Sequence, residues 1–145
     1  MESVANDLQS ALNVTERLHQ IRDAEASIRP APGKWSKKEI LGHLIDSAAN
    51  NHQRFVRLQL SPRLDLPGYD GDEWVRVQQY RNRAWSEIIN LWQMYNTQLA
   101  EVIRHVDPKT LGHVWHTPDG KTLALEFLIR DYVAHLHHHL DQILK

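Results

Sequence analysis

The sequence predicts an all-α protein of four long helices, near residues 3–26, 36–60, 83–105 and 123–144. Three observations carry that reading. Apolar residues recur three and four apart along these segments, which places them on one face of a helix. The run Trp35-Ser36-Lys37-Lys38-Glu39-Ile40 combines capping-box spacing with hydrophobic-staple spacing, a strong helix start. A long connection from Ser61 to Gly71, with two prolines and two glycines, separates the second helix from the third and is long enough to cross the end of a bundle.

At 145 residues the chain is expected to form a single domain over 1–145, large enough to bury roughly 70% of its unfolded surface without staples. Seventeen Lys and Arg against eighteen Asp and Glu give a formal net charge of −1 with no long run of either sign. A general electrostatic affinity for nucleic acid or for an anionic membrane is therefore not indicated. The absence of cysteine excludes disulfides, a thiolate nucleophile and any Cys-containing zinc site. Residues Met1 to Asp7 lack the basic and apolar regions of a signal peptide, and no apolar run approaches spanning length, so a cytoplasmic location is the expectation.

Val4, Leu8, Ala11, Leu12, Thr15, Leu18 and Ile21 set the apolar face of the first helix, which Pro30, Pro32 and Gly33 bring to an end. In the second, Ser36 and Glu39 are read as a cap with no catalytic work, and Leu41, Leu44, Ile45, Ala48, Phe55 and Val56 as the buried face. His43, Asp46, Ser47, Asn50 and Arg54 line another face, which in isolation reads as solvated. A short helix over Asp72–Tyr80 carries Trp74. Trp85, Ile88, Trp92, Tyr95, Leu99, Val102 and Val106 then repeat at helical spacing, a stripe read as core. Asp107-Pro108 closes that helix, Pro118-Asp119-Gly120 reads as a turn, and Thr122 is the expected N-cap of the last helix. Gly120-Lys121-Thr122 imitates the end of a phosphate-binding loop, but the required first glycine is Trp115. His113 and His116 border the turn as exposed or site-edge residues without an assigned role.

The last helix holds the chain's densest chemistry, with four of ten histidines between His135 and His139. Leu125, Ile129, Tyr132, Leu136, Leu140 and Ile143 form its apolar stripe. His135 and His139, four apart, stack on one edge of that stripe in line with Asp131 and Gln142, whereas His138 points outward and His137 lies on another side. Such a pair can place two metal ligands one turn apart, or it can be solvated surface histidine. The zinc-protease reading fails, since Leu136 stands where that motif needs its glutamate.

Pro32-Gly33-Lys34-Trp35-Ser36-Lys37-Lys38-Glu39-Ile40-Leu41-Gly42-His43-Leu44 resembles the DinB-like superfamily of metal-dependent enzymes, in its YfiT-type branch. That family couples a Trp-Ser-x-x-Glu helix start to a His-Leu pair one turn further on. It adds a C-terminal His-x-x-x-His followed three residues later by glutamine, and His135, His139 and Gln142 stand in those positions. Gly68-Tyr69-Asp70 and Trp92-x-x-Tyr95-Asn96 also look like this branch. The resemblance implies a four-helix bundle, often homodimeric, with a divalent metal such as zinc or nickel held by His43, His135 and His139. It implies action on a small molecule, as a hydrolase or as a thiol-dependent transferase or isomerase. His137 and His138 beside the pair, and Asn50 where acidic residues are common, depart from many relatives.

Three neutral imidazoles would leave an ion with an open position, able to activate water or hold a thiol as thiolate. With no cysteine in the chain, that thiol would be an exogenous small molecule. Asp46, Ser47, Asn50, Asp131 and Gln142 are candidates for supporting the ligands or touching substrate, or are simply solvated helix groups. The competing expectation is a non-catalytic dimeric bundle with a structural metal and a stress or binding role.

Overall fold

The structure, a computed structural model, describes residues 1–145. Its helices are α1 (Glu2–Ala11), α2 (Thr15–Gln20), α3 (Asp23–Ala26), α4 (Lys37–Leu60), α5 (Gly71–Gln78), α6 (Trp85–Arg104) and α7 (Leu125–Leu144). Three short strands, β1 (Arg63–Asp65), β2 (Val114–His116) and β3 (Thr122–Ala124), complete it. The expected four long helices appear as the arm α1–α2, then α4, α6 and α7, forming a four-helix bundle. Both α1 and α4 pack against α6 and α7. Helices successive along the bundle's first half thus stand at opposite corners, and α4 lies directly beside α7.

The first arm is not the continuous helix expected over 3–26. Leu12–Val14 tightens into a 3-10 turn, where the Thr15 hydroxyl donates to the Leu12 carbonyl at 2.6 Å and competes with the regular ladder. A second break falls at Ile21 and Arg22, whose backbone is extended. Tertiary partners explain it: the Asp23 carboxylate accepts from the Trp85 backbone N–H at 2.7 Å and pairs with Lys38 Nζ at 2.9 Å. Asp23 thereby caps α6 from outside that helix, whose own Ala84 offers no side-chain oxygen.

α4 starts where the cap spacing placed it. Ser36 Oγ accepts from the Glu39 N–H, and Glu39 Oε2 accepts from the Ser36 N–H at 2.9 Å, closing the capping box. The long connection holds more structure than the sequence suggested. β1 pairs parallel to β2, and β2 antiparallel to β3, with Leu64, Trp115 and Leu123 in register. Gly120, at φ 84°, makes the β2–β3 turn. Thr122 is therefore not the cap of α7: it pairs with His116 in the sheet, and the helix begins after Ala124.

The stripes expected in the interior are there. Leu44, Phe55, Trp85, Trp92, Leu99, Leu136 and Leu140 are buried in one apolar cluster. Val56 and Tyr95 depart most from expectation, while Ile21 and Val102 are only partly buried. Val56 is exposed, one position around α4 from Phe55. Tyr95 sits half-buried at the rim, where its phenol lies 3.3 Å from His52 Nδ1.

Candidate metal centre

α4 and α7 run antiparallel, and the Lys37 ammonium donates to the Ile143 carbonyl at 2.7 Å where the start of one meets the end of the other. His43, two turns into α4, therefore faces His135 and His139, which sit in the last turns of α7. The apolar stripe of α7 fixes this rotation: with Leu136 and Leu140 fully packed, the neighbouring positions 135 and 139 fall on the seam toward α4. The line of α4 through His43, Asp46, Ser47 and Arg54 is accordingly buried, not solvated as its polarity suggested in isolation.

The three imidazoles offer ligand atoms that all lie within 4.8 Å of one another. The Nε2 atoms of His43 and His135 are 3.2 Å apart. Two nitrogens each about 2.0–2.1 Å from one tetrahedral zinc-type ion stand about 3.3 Å apart, so this spacing suits a shared cation. The Nδ1 atoms of His43 and His135 are buried with no hydrogen-bond partner, leaving no protein group to fix a proton-sharing arrangement between the two rings. His139 differs: its Nδ1–H donates to Gln142 Oε1 at 2.9 Å, which leaves the Nε2 lone pair free to face the other two. The donor set fits a divalent ion.

Burial, reinforced by the neighbouring His135 and His139, pushes the His43 pKa down to about 4. Burial also lowers the pKa of His135, next to His139, although the Asp131 carboxylate opposes the shift. For His139 burial again lowers it, against the Gln142 hydrogen bond. All three imidazoles are thus held neutral at neutral pH, the form that binds metal.

The remaining candidates separate clearly. Gln142 touches the triad through His139, and Asp131 acts on His135 through its charge alone. Asp46 is buried but turned to other work: its Oδ1 accepts from Tyr80 Oη at 2.7 Å and Gln78 Nε2 at 2.8 Å, and burial raises its pKa against those bonds. Ser47 is buried beside Tyr69 and Asn51. Asn50 caps back onto the Asp46 carbonyl of its own helix. His137 reaches Asp7 at 3.0 Å on the α1 side, and His138 Nε2 accepts from the Gln142 amide at 3.0 Å. His113 donates to the Leu58 carbonyl in the last turn of α4, and His116 lies in β2. None of these four joins the triad.

Residues without an assignment from the sequence also shape the centre. The Trp35 indole lies 4.9 Å from the His43 ring, beyond its expected staple role. Gly71, at the start of α5, closes over His43 so tightly that a Cβ there would come within 3.2 Å of Cε1. Neither role leaves a periodic trace, because both come from segments remote in sequence or outside helices. A cleft of about 430 Å³ opens beside the triad, lined in part by Lys34, Trp35, Asp72, His139 and Gln142.

Fold and centre together define a helical-bundle protein with a three-histidine cluster able to hold a metal ion, seated between two adjacent helices near one end. The chain belongs to the DinB superfamily, whose family model matches residues 9–143. It is 24% identical over 147 residues to YfiT of Bacillus subtilis, a candidate metal-dependent hydrolase, covering 99% of this chain and 78% of the relative. The solved YfiT structure, described as an unusual four-helix bundle, superposes with a TM-score of 0.80 at 21% identity, over 97% of this chain and 82% of that one. A mycothiol-dependent maleylpyruvate isomerase superposes with a TM-score of 0.74 at 14% identity, but this chain spans only 58% of it. No helix is long and apolar enough to cross a membrane.

Proposed function

We propose that the chain is a metal-dependent hydrolase acting on a small molecule, with His43, His135 and His139 holding a divalent ion such as zinc or nickel. The observation that carries this reading is the convergence of three imidazoles, with ligand atoms within 4.8 Å, beside a cleft of about 430 Å³. The hydrolase assignment of its relatives supports it.

Held by His43, His135 and His139, a divalent ion would supply Lewis-acid chemistry able to acidify a water or a thiol. The chain's own groups do the rest. Gln142 fixes the tautomer and ring orientation of His139. Trp35 and Gly71 cover His43, exclude water from its far side and help keep it unprotonated. Asp46 anchors Tyr80 and Gln78 and so steadies the segment beyond α5.

A second reading, transfer to an exogenous small thiol, is favoured by the likeness to a mycothiol-dependent isomerase and by the absence of any cysteine in the chain. Metal analysis of untagged protein is the first test. His43→Ala, His135→Ala and His139→Ala should each lose bound metal, while His137→Ala and His138→Ala keep it. Equal loss for His137→Ala and His139→Ala would point instead to an unspecific histidine patch. Ester, amide and electrophile panels with and without small thiols then separate the branches: turnover without thiol selects hydrolysis, turnover only with thiol selects transfer. No turnover with a full complement of metal would favour the structural-metal alternative.

A further inference from the structure

Arg54 lies on the same line of α4 as His43, Ser47 and Asn50, eleven residues on from His43, or about 16 Å along the helix. It is 8% exposed, yet it has no carboxylate partner. The other arginines either pair with an acidic side chain, as Arg29 does with Glu39 and Arg104 with Glu2, or are exposed. Lys38, the other buried cation, is held by Asp23 and by the Arg83 carbonyl. A buried charge normally carries a counter-charge, because the desolvation cost otherwise goes uncompensated. Burial accordingly pushes the Arg54 guanidinium below its ordinary pKa, with only the Tyr69 phenol opposing.

The guanidinium is held in place by neutral groups only. Its Cζ sits 3.8 Å from the centroid of the Trp115 ring, and Nη1 donates to Asn51 Oδ1 at 3.2 Å. Trp115 is itself fixed, at the centre of β2 between Leu64 and Leu123, with its indole N–H donating to the Leu66 carbonyl at 2.9 Å. None of the remaining guanidinium nitrogens is sealed from solvent without a partner. The result is a rigid, planar fork with its face on an indole and an edge of unused donors. That arrangement matches the two-oxygen edge of a carboxylate or phosphate.

We propose that Arg54, oriented by Trp115 and Asn51 beside Tyr69, is a binding site for the oxyanion group of a small molecule, distinct from the three-histidine centre. The site needs no metal, so it stands or falls separately from the proposed hydrolytic function. It is tested on chelator-treated protein by following the Arg54 Nε–Hε resonance by NMR while adding inorganic phosphate or acetate at constant chloride ionic strength. A saturable shift with either ion is expected, and the ion that produces it identifies phosphate or carboxylate as the chemistry. Arg54→Lys keeps the charge but loses the fork, and should weaken binding about tenfold or more, read from Trp fluorescence, as expected for loss of one bond to a charged group. Wild-type protein whose Arg54 resonance does not move with either ion, or Arg54→Lys that binds as tightly as wild type, would overturn the proposal. Because the resonance is read in the unmodified chain, a variant that failed to fold would not rescue it.

Discussion

At the scale of single residues, the protonation of the triad decides what the centre can do. A histidine whose pKa is lower in the folded chain than the ordinary 6.5 takes its proton more readily when unfolded, so acid favours unfolding. For His43 that contribution to stability is complete above pH 6.5 and is lost as pH falls toward about 4. His135 and His139 shift in the same direction. Urea unfolding of the metal-free protein should therefore show a falling midpoint across that window, with a shallower fall in His43→Gln. Comparison of the two isolates His43 from Glu39 and Asp23, whose lowered pKa values erode stability at lower pH. Identical slopes would mean that His43 is not held neutral. Gln142 offers a second residue-level test. Removing the acceptor for the His139 ring in Gln142→Leu should weaken metal affinity by about 10–100-fold while all three imidazoles remain. Unchanged affinity by competition titration would reduce Gln142 to a surface residue.

At the scale of elements, α4 is the beam that carries His43, and its start is held by two devices. The capping box ties Ser36 to Glu39, and Glu39 also pairs with Arg29 from the preceding segment. Ser36→Ala should cost about 1 kcal/mol in denaturant unfolding. The second device is a close approach: a Cβ on Gly42 would fall 2.2 Å from the Tyr80 ring, which is itself anchored on Asp46. Gly42→Ala must push Tyr80 away, and overpacking of this kind costs about 1–3 kcal/mol. A Gly42→Ala protein as stable as wild type would show that the Tyr80 segment is free to move off α4. That outcome would also remove Asp46 from any supporting role.

At the scale of the whole molecule, stability rests on the stripe residues that meet at the bundle centre. Trp92 has no exposed surface, and Trp92→Ala should cost about 3–5 kcal/mol. Met94, two residues away on the same helix but 73% exposed, should change stability by no more than about 0.5 kcal/mol when truncated. Similar losses from the two substitutions in thermal unfolding would mean that the inner face of α6 is misassigned.

The elements themselves were legible because helical periodicity is a local property. The apolar recurrence along α6 and α7 and the Ser36–Glu39 cap needed no knowledge of neighbours, and Gln142 lay visibly in line with His135 and His139. What residue spacing could not reveal was which polar line faces inward. His43, Asp46 and Arg54 read as a solvated face of α4, and only a resemblance to a family, not their pattern, attached His43 to the pair on α7. The antiparallel docking of α4 against α7 buries that line, because it is set by two apolar stripes far apart in sequence. The break at Ile21, the strand at Thr122 and the closure of Gly71 over His43 have the same origin. Each is decided by a partner many residues away: Trp85 and Lys38 for Asp23, β2 for Thr122, and α4 for Gly71. Sequence alone thus determined where helices form and which side chains carry chemistry, whereas tertiary packing decided which of those side chains meet, since long-range contact leaves no local period to read.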